Sequence, residues 1–291
     1  MYEYPFESHY IVIDNYRLHY LDEGEGPVIT MLHGNPTWSF YFRYLVTHLA
    51  KKFRVIVPDH IGCGYSDKPQ KYHYTLTNHI NNLCSLLTSL DITSTSLVVH
   101  DWGGAIGMGY ATRFPECIEK IVLLNTAAFR SHRMPLRIRL CRIPIIGEFI
   151  VRGLNGFAWP ATFMAVEKPL AKDISRSYIQ PYNNWSNRIA IHRFVQDIPL
   201  TPQHQSYQVL KTIEDKLELL KKMRIPMLIV WGGKDFCFND HFYHEWKIRF
   251  PDAQSVYLED AGHYILEDGH GRVEPIIEAF FCHEQKSRQL D

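Results

Sequence analysis

Short apolar runs rich in β-branched residues recur along the chain and predict the strands of a sheet. Most of the runs are continuous rather than alternating, which is typical of strands buried on both faces of a parallel sheet. Before them, two alternating segments flank Asp14 and Asn15 and predict an antiparallel hairpin. The continuous runs are VITML (28–32), FRVIVP (53–58), SLVV (96–99), KIVLL (120–124), MLIVW (227–231) and SVYL (255–258).

Helical periodicity fills the intervals between these runs, for example at 76–90, 104–113 and 239–249. Strands that alternate with helices in this way predict an α/β fold. With the two hairpin segments included, we expect a mostly parallel eight-stranded sheet that has helices on both faces and a small antiparallel start.

One interval is far longer than a crossover connection requires. About a hundred residues separate Asn125 from Met227, and they contain many aromatic and aliphatic side chains. They predict a folded helical insertion after a strand, at the sheet edge where α/β proteins bind ligands. We expect a core of residues 1–126 and 216–291 and a cap of residues 127–215 that closes over a pocket and excludes water.

Composition narrows the class of protein. The 291 residues are 46% hydrophobic and 21% charged, and the formal net charge is zero, which argues against a nucleic-acid partner. We see no signal peptide and no apolar run long enough to span a bilayer, so an integral membrane protein is not expected. Six scattered cysteines fit a reducing cytoplasm. His241 and His244 lack a His-Glu-x-x-His pattern, and we expect neither a metal nor a cofactor.

The stretch VVHDWGGAIG (98–107) contains the first candidate catalytic residue, Asp101. A β-branched run ends there and two glycines open a helix, as in the sharp turn on which many hydrolases carry a nucleophilic serine. Val99 stands where that pattern usually has a glycine. Taken alone, the stretch fits an aspartate that merely caps a helix equally well.

Two further strand ends favour the catalytic interpretation. Asp235 follows the run MLIVW, and His263 lies in the loop after SVYL. Nucleophile, acid and histidine in this chain order are typical of α/β-hydrolases, and all three would meet at one sheet edge. Asp260 and Glu259 are nearer to His263 in sequence but lie on or beside the last strand, so Asp235 is the preferred acid.

The stretch LHGNPTWS (32–39) predicts the remaining part of the site. In α/β-hydrolases the loop at this place and the residue after the nucleophile supply the two backbone N–H groups of an oxyanion hole, here Asn35 and Trp102. The alternative is a plain turn. The glycine-rich loop 58–69 lacks the Lys-Ser/Thr ending of a phosphate loop, which argues against nucleotide binding.

A carboxylate in place of serine indicates attack on sp³ carbon that bears a leaving group. The product is an alkyl ester of Asp101, which water activated by His263 can cleave. The ring N–H of Trp102 and the side-chain amide of Asn35 are candidate donors to a departing anion. This chemistry needs neither metal nor cofactor.

Several motifs resemble those of haloalkane dehalogenases and the related epoxide hydrolases: HGNPTWS, PDHIGCGYSDKP, HDWGG and the final AGH. Within that group the chain is most similar to the β-lactone decarboxylases of bacterial long-chain olefin biosynthesis. The added similarities are LLNTAAF (123–129), RGLNGFA (152–158), NRIAIHRFVQDIPL (187–200), DFCFNDHF (235–242) and DAGHYILED (260–268).

The resemblance implies an α/β-hydrolase fold with a helical cap, and it implies roles for the candidate residues. Asp101 would be the nucleophile, His263 the base and Asp235 the acid, while Asn35 and Trp102 would bind the leaving anion or oxyanion. Some dehalogenases carry the acid after the sixth strand, where this chain has Asn125.

The same resemblance implies the reaction. A cis-3,4-dialkyl β-lactone with long alkyl chains would give a cis-olefin and carbon dioxide, within an assembly of pathway enzymes. Attack at the ring carbon or at the ring carbonyl are both open. The alternatives are a haloalkane dehalogenase, an epoxide hydrolase that uses cap tyrosines (Tyr178, Tyr182 and Tyr207 are present), and a non-catalytic binder of small apolar ligands.

Arginines cluster in the cap against a single acid, Glu148. One interpretation is a solvated helix over the cap core. The other is a basic face that docks an acidic partner or an anionic membrane surface. The arginines are Arg130, Arg133, Arg137, Arg139, Arg142 and Arg152.

Overall fold

The described chain, residues 3–283 of a computed structural model, is built around one eight-stranded sheet. The strands are β1 (His9–Ile13), β2 (Tyr16–Glu23), β3 (Val28–Leu32), β4 (Arg54–Pro58), β5 (Thr95–Asp101), β6 (Ile118–Thr126), β7 (Met227–Gly232) and β8 (Gln254–Leu258). Their spatial order is β1-β2-β4-β3-β5-β6-β7-β8. The β1–β2 and β2–β4 pairs are antiparallel and the other pairs are parallel. The predicted mostly parallel sheet with an antiparallel start is confirmed.

Helices follow most of the strands and cover both faces of the sheet. They are α1 (Arg43–Leu49), α2 (Leu76–Ser89), α3 (Trp102–Ala111), α4 (Leu136–Leu140), α5 (Ile146–Glu148), α6 (Ala158–Met164), α7 (Lys172–Ile179), α8 (Ile189–Gln196), α9 (Tyr207–Lys222), α10 (Asp240–Arg249), α11 (Ile265–Asp268) and α12 (Val273–Cys282). A π-helical turn spans Phe149–Gly153, and short 3-10 turns lie at Ser39–Phe42, Pro115–Cys117, Gln180–Tyr182 and Ser186–Arg188.

Burial on both faces explains why the strand sequences are continuous apolar runs. In β5, Leu97 and Val99 belong to one apolar cluster, which α2, α3, α9 and α10 also enter. Val98 points the other way, into a second cluster that contains residues of α1 and α12. Because neighbouring strand residues face opposite sides, apolar residues are favoured at consecutive positions of a central strand.

The long interval after β6 holds α4 to α8, as expected of a helical insertion. It ends at α9, which packs against α3 and α2 of the core. Helix α9 runs through residue 215 without a break, so a division at that residue would fall inside one helix. The division into core and cap stays a prediction, and below we use the two words only as labels for residues 1–126 with 216–291 and for residues 127–215.

Hydrogen bonds anchor the cap to the core beside the His263 loop. The Tyr178 hydroxyl of α7 donates to the Glu267 carboxylate of α11. The Asp268 carboxylate accepts the backbone N–H of Glu167 at 3.0 Å and that of Gly262 at 2.8 Å. One carboxylate therefore joins the cap to the residue that precedes His263.

Three of the six cap arginines are bound inside the protein. Arg130 pairs with Glu214, with 2.6 Å between Nε and Oε2. Arg142 donates to two cap carbonyl oxygens, and the buried Arg152 pairs with Glu148. The other three, at positions 133, 137 and 139, are exposed.

Over residues 3–283, no helix is both long enough and apolar enough to cross a membrane. The same residues contain no group of three His, Cys, Asp or Glu side chains placed to hold a metal ion. All six cysteines are free thiols.

Candidate active site

Asp101 lies at the tip of a sharp turn between β5 and α3. Its backbone has φ +51° and ψ −123°, a conformation that residues other than glycine rarely adopt. The turn needs glycine beside it. A Cβ on Gly103 would lie 2.0 Å from the Leu32 carbonyl oxygen, and one on Gly34 would lie 2.2 Å from the Asp101 side chain. This is the geometry predicted for a nucleophile at a strand-to-helix turn.

Backbone N–H groups point at the Asp101 carboxylate. The N–H of Asn35 donates to Oδ1 at 2.7 Å, and the N–H of Trp102 also donates to the carboxyl group. Burial raises the pKa of Asp101, and although the two N–H groups and His263 oppose that effect, the pKa stays above its ordinary value. A buried carboxylate held by few donors is poorly solvated, which makes it a better nucleophile.

His263 lies between Asp101 and Asp235. Its Nδ1 is 2.7 Å from Oδ2 of Asp235, and its Nε2 is 3.8 Å from Oδ2 of Asp101. Burial alone would lower the pKa of His263, but the charge and hydrogen bond of Asp235 and the charge of Asp101 outweigh it, so the pKa is raised. The structure brings together all three residues singled out in the sequence. Asp260, the weaker candidate, is exposed and pairs with Arg272.

A mostly apolar cavity of about 370 Å³ opens over this group. Asp101, His263, Asn35 and Trp102 form its polar floor. Its walls come from both parts of the chain. The core contributes Pro36, Leu76, Ala105, Phe236, Cys237, Phe238, Phe242 and Tyr264. The cap contributes Ala127, Phe129, Met134, Pro135, Ile138, Cys141, Gly156, Phe157, Pro160, Ala161, Met164, Ala165, Val195, Ile198, Pro199 and Leu210, together with the polar side chains of Ser131, Arg133 and Arg137. Such a cavity suits a ligand with alkyl chains.

A family model described as "alpha/beta hydrolase fold" matches residues 27–270. The chain belongs to the α/β-hydrolase family. Two curated relatives are named cis-3-alkyl-4-alkyloxetan-2-one decarboxylase. The one from Shewanella oneidensis is 46% identical over 95% of this chain and 88% of its own length. The one from Xanthomonas campestris is 41% identical over 90% of this chain and 91% of its own.

Haloalkane dehalogenases are more distant relatives. Haloalkane dehalogenase 2 of Mycobacterium tuberculosis is 30% identical over 95% of this chain and 96% of its own. The crystal structure of haloalkane dehalogenase DatA from Agrobacterium tumefaciens superposes with a TM-score of 0.84 over 94% of this chain and 95% of that one. At 23% identity that match shows the fold alone. Both results agree with the sequence resemblance.

In this α/β-hydrolase, four donors surround the Asp235 carboxylate. Besides His263, the side-chain amide of Asn125 donates to Oδ2 at 3.0 Å. The backbone N–H groups of Cys237 and Phe238 donate to Oδ1 at 2.6 and 3.0 Å. Sequence reasoning noted Asn125 only as a place without an acid. Its position at the end of β6, next to the β7 end that precedes Asp235, was the available signal.

Two more polar residues beneath the site escaped sequence reasoning. The Thr126 hydroxyl donates to the backbone carbonyl of Asp101. The His100 ring is fully buried, and its Nε2 donates to the backbone carbonyl of His263 at 2.9 Å. Both therefore hold the backbone that carries a site residue. The only sequence signal was their position beside Asp101 and Asn125.

The side chain of Asn35 lies at the floor of the cavity, and its Nδ2 donates one N–H to the carbonyl oxygen of Ile191 in α8 at 3.1 Å. The predicted role of the amide as a donor to a departing anion would use its second N–H, and it stays a prediction. The backbone N–H of Asn35, as predicted for an oxyanion hole, is the group aimed at Asp101. The amide links the cap to the loop after β3, a contact that no local pattern reveals.

The three cap tyrosines lie outside the cavity lining. Tyr178 donates to Glu267, and Tyr182 donates to the Thr37 carbonyl at 3.1 Å. The Tyr207 hydroxyl accepts a hydrogen bond from Arg130 at 3.3 Å. None of them is placed to protonate a ring oxygen above Asp101.

Replacing Asp235 by Asn is expected to move the acid limb of the kcat/KM profile to higher pH. His263 loses the charge that raises its pKa most, so it is neutral over a wider pH range. The positive charge that lowers the pKa of Asp101 is then missing, and Asp101 takes up a proton at higher pH. Loss of the Asp235 charge acts the other way, but it is the weakest cause at Asp101. A pH series of kcat/KM measures the shift.

Asp260→Asn is the matched control, because Asp260 is a nearby acid that pairs with Arg272 instead of His263. It should leave the acid limb unchanged. If the acid limb moved with Asp260→Asn and not with Asp235→Asn, the assignment of Asp235 as the catalytic acid would be wrong.

Proposed function

We propose that this α/β-hydrolase is a β-lactone decarboxylase that converts a cis-3,4-dialkyl β-lactone to a cis-olefin and carbon dioxide. The observation that carries the proposal is the 46% and 41% identity to two decarboxylases whose name specifies that lactone class, over at least 90% of this chain. The apolar cavity above Asp101 supports it, since it offers alkyl chains a lining with few polar groups.

In the first step, a carboxylate oxygen of Asp101 attacks C4 of the lactone, and the C4–O ring bond breaks. The ring oxygen keeps the bonding electron pair, so C4 becomes an ester of Asp101 and the former lactone carbonyl becomes a free carboxylate. Release of ring strain favours this opening, and no proton is needed.

In the second step, the C2–C3 bond breaks and carbon dioxide leaves. Its electron pair forms the C3=C4 double bond and expels Asp101 as a carboxylate. The backbone N–H groups of Asn35 and Trp102 stabilise the charge that returns to Asp101, and so does protonated His263, which Asp235 holds in place. Atoms balance without water, metal or cofactor.

The stereochemistry of the reaction agrees with these two steps. Attack at C4 inverts that carbon, and anti fragmentation of the ester inverts the relation of the alkyl groups once more. Two inversions convert a cis lactone to a cis-olefin.

Attack of Asp101 at the ring carbonyl is the second route. It gives a mixed anhydride of Asp101 and leaves the ring oxygen on C4 as an alkoxide, which takes a proton from His263. Water must then cleave the anhydride, which frees Asp101 and a carboxylate. Loss of that carboxylate as carbon dioxide forms the double bond and expels the C4 hydroxyl, after a further protonation, as water.

The hydrolytic alternative is a dehalogenase or epoxide hydrolase that uses the same Asp101 and His263. Against a dehalogenase stands the higher identity to the two decarboxylases, 46% and 41%, compared with 30% to haloalkane dehalogenase 2. One feature of the site argues against an epoxide hydrolase. The cap tyrosines do not line the cavity, so none protonates an epoxide oxygen.

Incubation with three substrates of equal chain length tests the proposal: a cis-dialkyl β-lactone, a bromoalkane and a cis-dialkyl epoxide. We expect olefin and carbon dioxide from the lactone at a far higher kcat/KM than halide or diol release. With ¹⁸O in the ring, the label should appear in carbon dioxide if Asp101 attacks C4, and in water if it attacks the carbonyl. A preference for the bromoalkane or the epoxide would overturn the proposal.

We further propose a cytoplasmic location, which the six free thiols support. An assembly with other enzymes of the same pathway stays a prediction from the sequence resemblance. Co-purification with the enzyme that supplies the lactone would test it.

A further inference from the structure

Nine large apolar side chains of the cap are exposed between residues 136 and 163. They form what we call the cap rim: Leu136, Leu140, Ile143, Ile145, Ile146, Phe149, Leu154, Trp159 and Phe163, with 39–85% of each side chain exposed. The described chain has 17 exposed large apolar residues, so more than half of them lie in this one segment. Apolar exposure on this scale is uncommon in soluble proteins and marks an interaction surface.

The most exposed residue of the rim is held there by a strained turn. Ile145 has φ +66° and ψ −55°, and the Ile146 N–H donates to the Pro144 carbonyl at 2.7 Å across it. This is a γ-turn of the rare, strained type, with a β-branched residue at its centre. Ile145 is 85% exposed, so packing inside the protein does not offset the strain. The turn presents an apolar side chain outward.

The rim is separated from the active-site cavity by the thickness of one helix. In α6, Ala161 and Met164 line the cavity, whereas Trp159 and Phe163 are exposed and contact each other with ring centroids 5.0 Å apart. Helix α4 repeats the arrangement, with Ile138 inside and its leucines outside. An apolar substrate that reaches the rim is therefore one helix away from Asp101.

Positive charge accompanies this apolar surface. Arg133, Arg137 and Arg139 are exposed on and just before α4. The single acid between residues 127 and 166 is Glu148, and it pairs with the buried Arg152. Protruding apolar side chains beside unneutralised arginines are the composition of surfaces that bind anionic lipids.

We propose that the cap rim docks onto an anionic lipid surface, from which the cavity takes up an apolar substrate and to which it returns the product. A lipid surface fits better than a protein partner because the exposed arginines beside the rim complement anionic headgroups. None of the nine side chains lines the active-site cavity. They protrude from the surface, as suits insertion into a fluid apolar layer. The uptake of lactone rests on the proposed function, whereas the docking does not.

Co-sedimentation of the full chain with vesicles tests the docking in the absence of lactone. We expect binding to vesicles of phosphatidylcholine with 30% phosphatidylglycerol, weaker binding to pure phosphatidylcholine, and loss of binding at high salt. The double variant Ile145→Asn/Ile146→Ser should bind at least about tenfold more weakly. Asn tolerates positive φ, so the turn is retained.

Ile248→Asn is the matched control, because Ile248 is 73% exposed on α10, outside the rim. It should bind like the parent. Neither substituted rim residue lines the cavity, so olefin formation from a detergent-dispersed lactone should stay unchanged. This separates failure of docking from failure of the proposed reaction.

Two results would overturn the proposal: a parent that binds neither vesicle, or a double variant that binds as well as the parent. Light scattering of the same samples without vesicles measures the oligomeric state and so tests whether a second copy of the chain binds the rim. If the parent does not bind vesicles but forms a dimer, and Ile145→Asn/Ile146→Ser abolishes that dimer, the rim is instead a contact surface between two copies of the chain.

Discussion

Replacing Asp101 by Asn should reduce olefin formation from a cis-dialkyl β-lactone by about 10⁴-fold or more. An amide oxygen is a poor nucleophile, and it cannot leave as a carboxylate in the second step. Both steps therefore fail together. Steady-state assays of olefin by gas chromatography measure the loss, which should appear in kcat as well as in kcat/KM.

The fold should survive this substitution. Asn tolerates the positive φ of position 101, and its amide oxygen can still accept the Asn35 N–H. The pKa of Asp101 is raised in the folded protein. The free energy of unfolding therefore falls as the pH rises from the ordinary pKa of an aspartate through the raised one, because the buried side chain must then ionise. A neutral Asn removes this cost, and the Tm at pH 7 should be equal to or above that of the parent. Full activity in Asp101→Asn would exclude both routes of attack.

His263→Gln should have a smaller effect, a loss of about 10²–10³-fold with the lactone. In the proposed mechanism no proton moves at either step, and His263 acts by its charge beside Asp101. Its Nε2 lies 3.8 Å from the Asp101 carboxylate, close enough to stabilise the charge that returns there. The variant should still complete many turnovers, and no ester should accumulate because the ester collapses without water.

A hydrolytic enzyme would behave differently. There His263 activates water against the ester, so its loss stops the reaction after one turnover with the ester still attached to Asp101. A burst of one equivalent followed by arrest with the lactone would therefore contradict the decarboxylation account. His244→Gln, at an exposed position of α10, is the control and should match the parent.

The parts of the site that lie at strand ends could be predicted from the sequence. Asp101 and Asp235 each end or directly follow a buried apolar run, and the parallel arrangement places these ends at one edge. His263 follows β8 in the same way. These positions could be predicted from the local sequence because the end of a run of β-branched residues can be recognised to within a few residues.

The supporting contacts could not be predicted because they depend on distant partners. Asn125 reaches Asp235 across 110 residues of chain, and the Asn35 amide reaches Ile191 across 156. His100 looks from sequence like any polar residue beside a turn, yet its ring binds the backbone of His263. Such hydrogen bonds arise only when the sheet and cap are assembled.

The basic cap segment shows the same limit of local patterns. The sequence grouped six arginines, but Arg130 and Arg152 pair with acids, and Arg142 binds backbone carbonyls of the cap. Only three remain exposed. The apolar rim beside them was not expected, because the same apolar residues would equally well have packed in the cap core.

The central claim is that the Asp101 carboxylate becomes bonded to a ring carbon of the molecule being transformed. A bromoalkane tests this most directly in His263→Gln, because displacement of bromide needs no proton and the resulting alkyl ester has no carboxylate to lose and no base to hydrolyse it. The account predicts that peptide mass spectrometry finds one alkyl group added per chain, on Asp101. An Asp101 peptide that stays unmodified, or an adduct that forms equally in Asp101→Asn/His263→Gln, would contradict it.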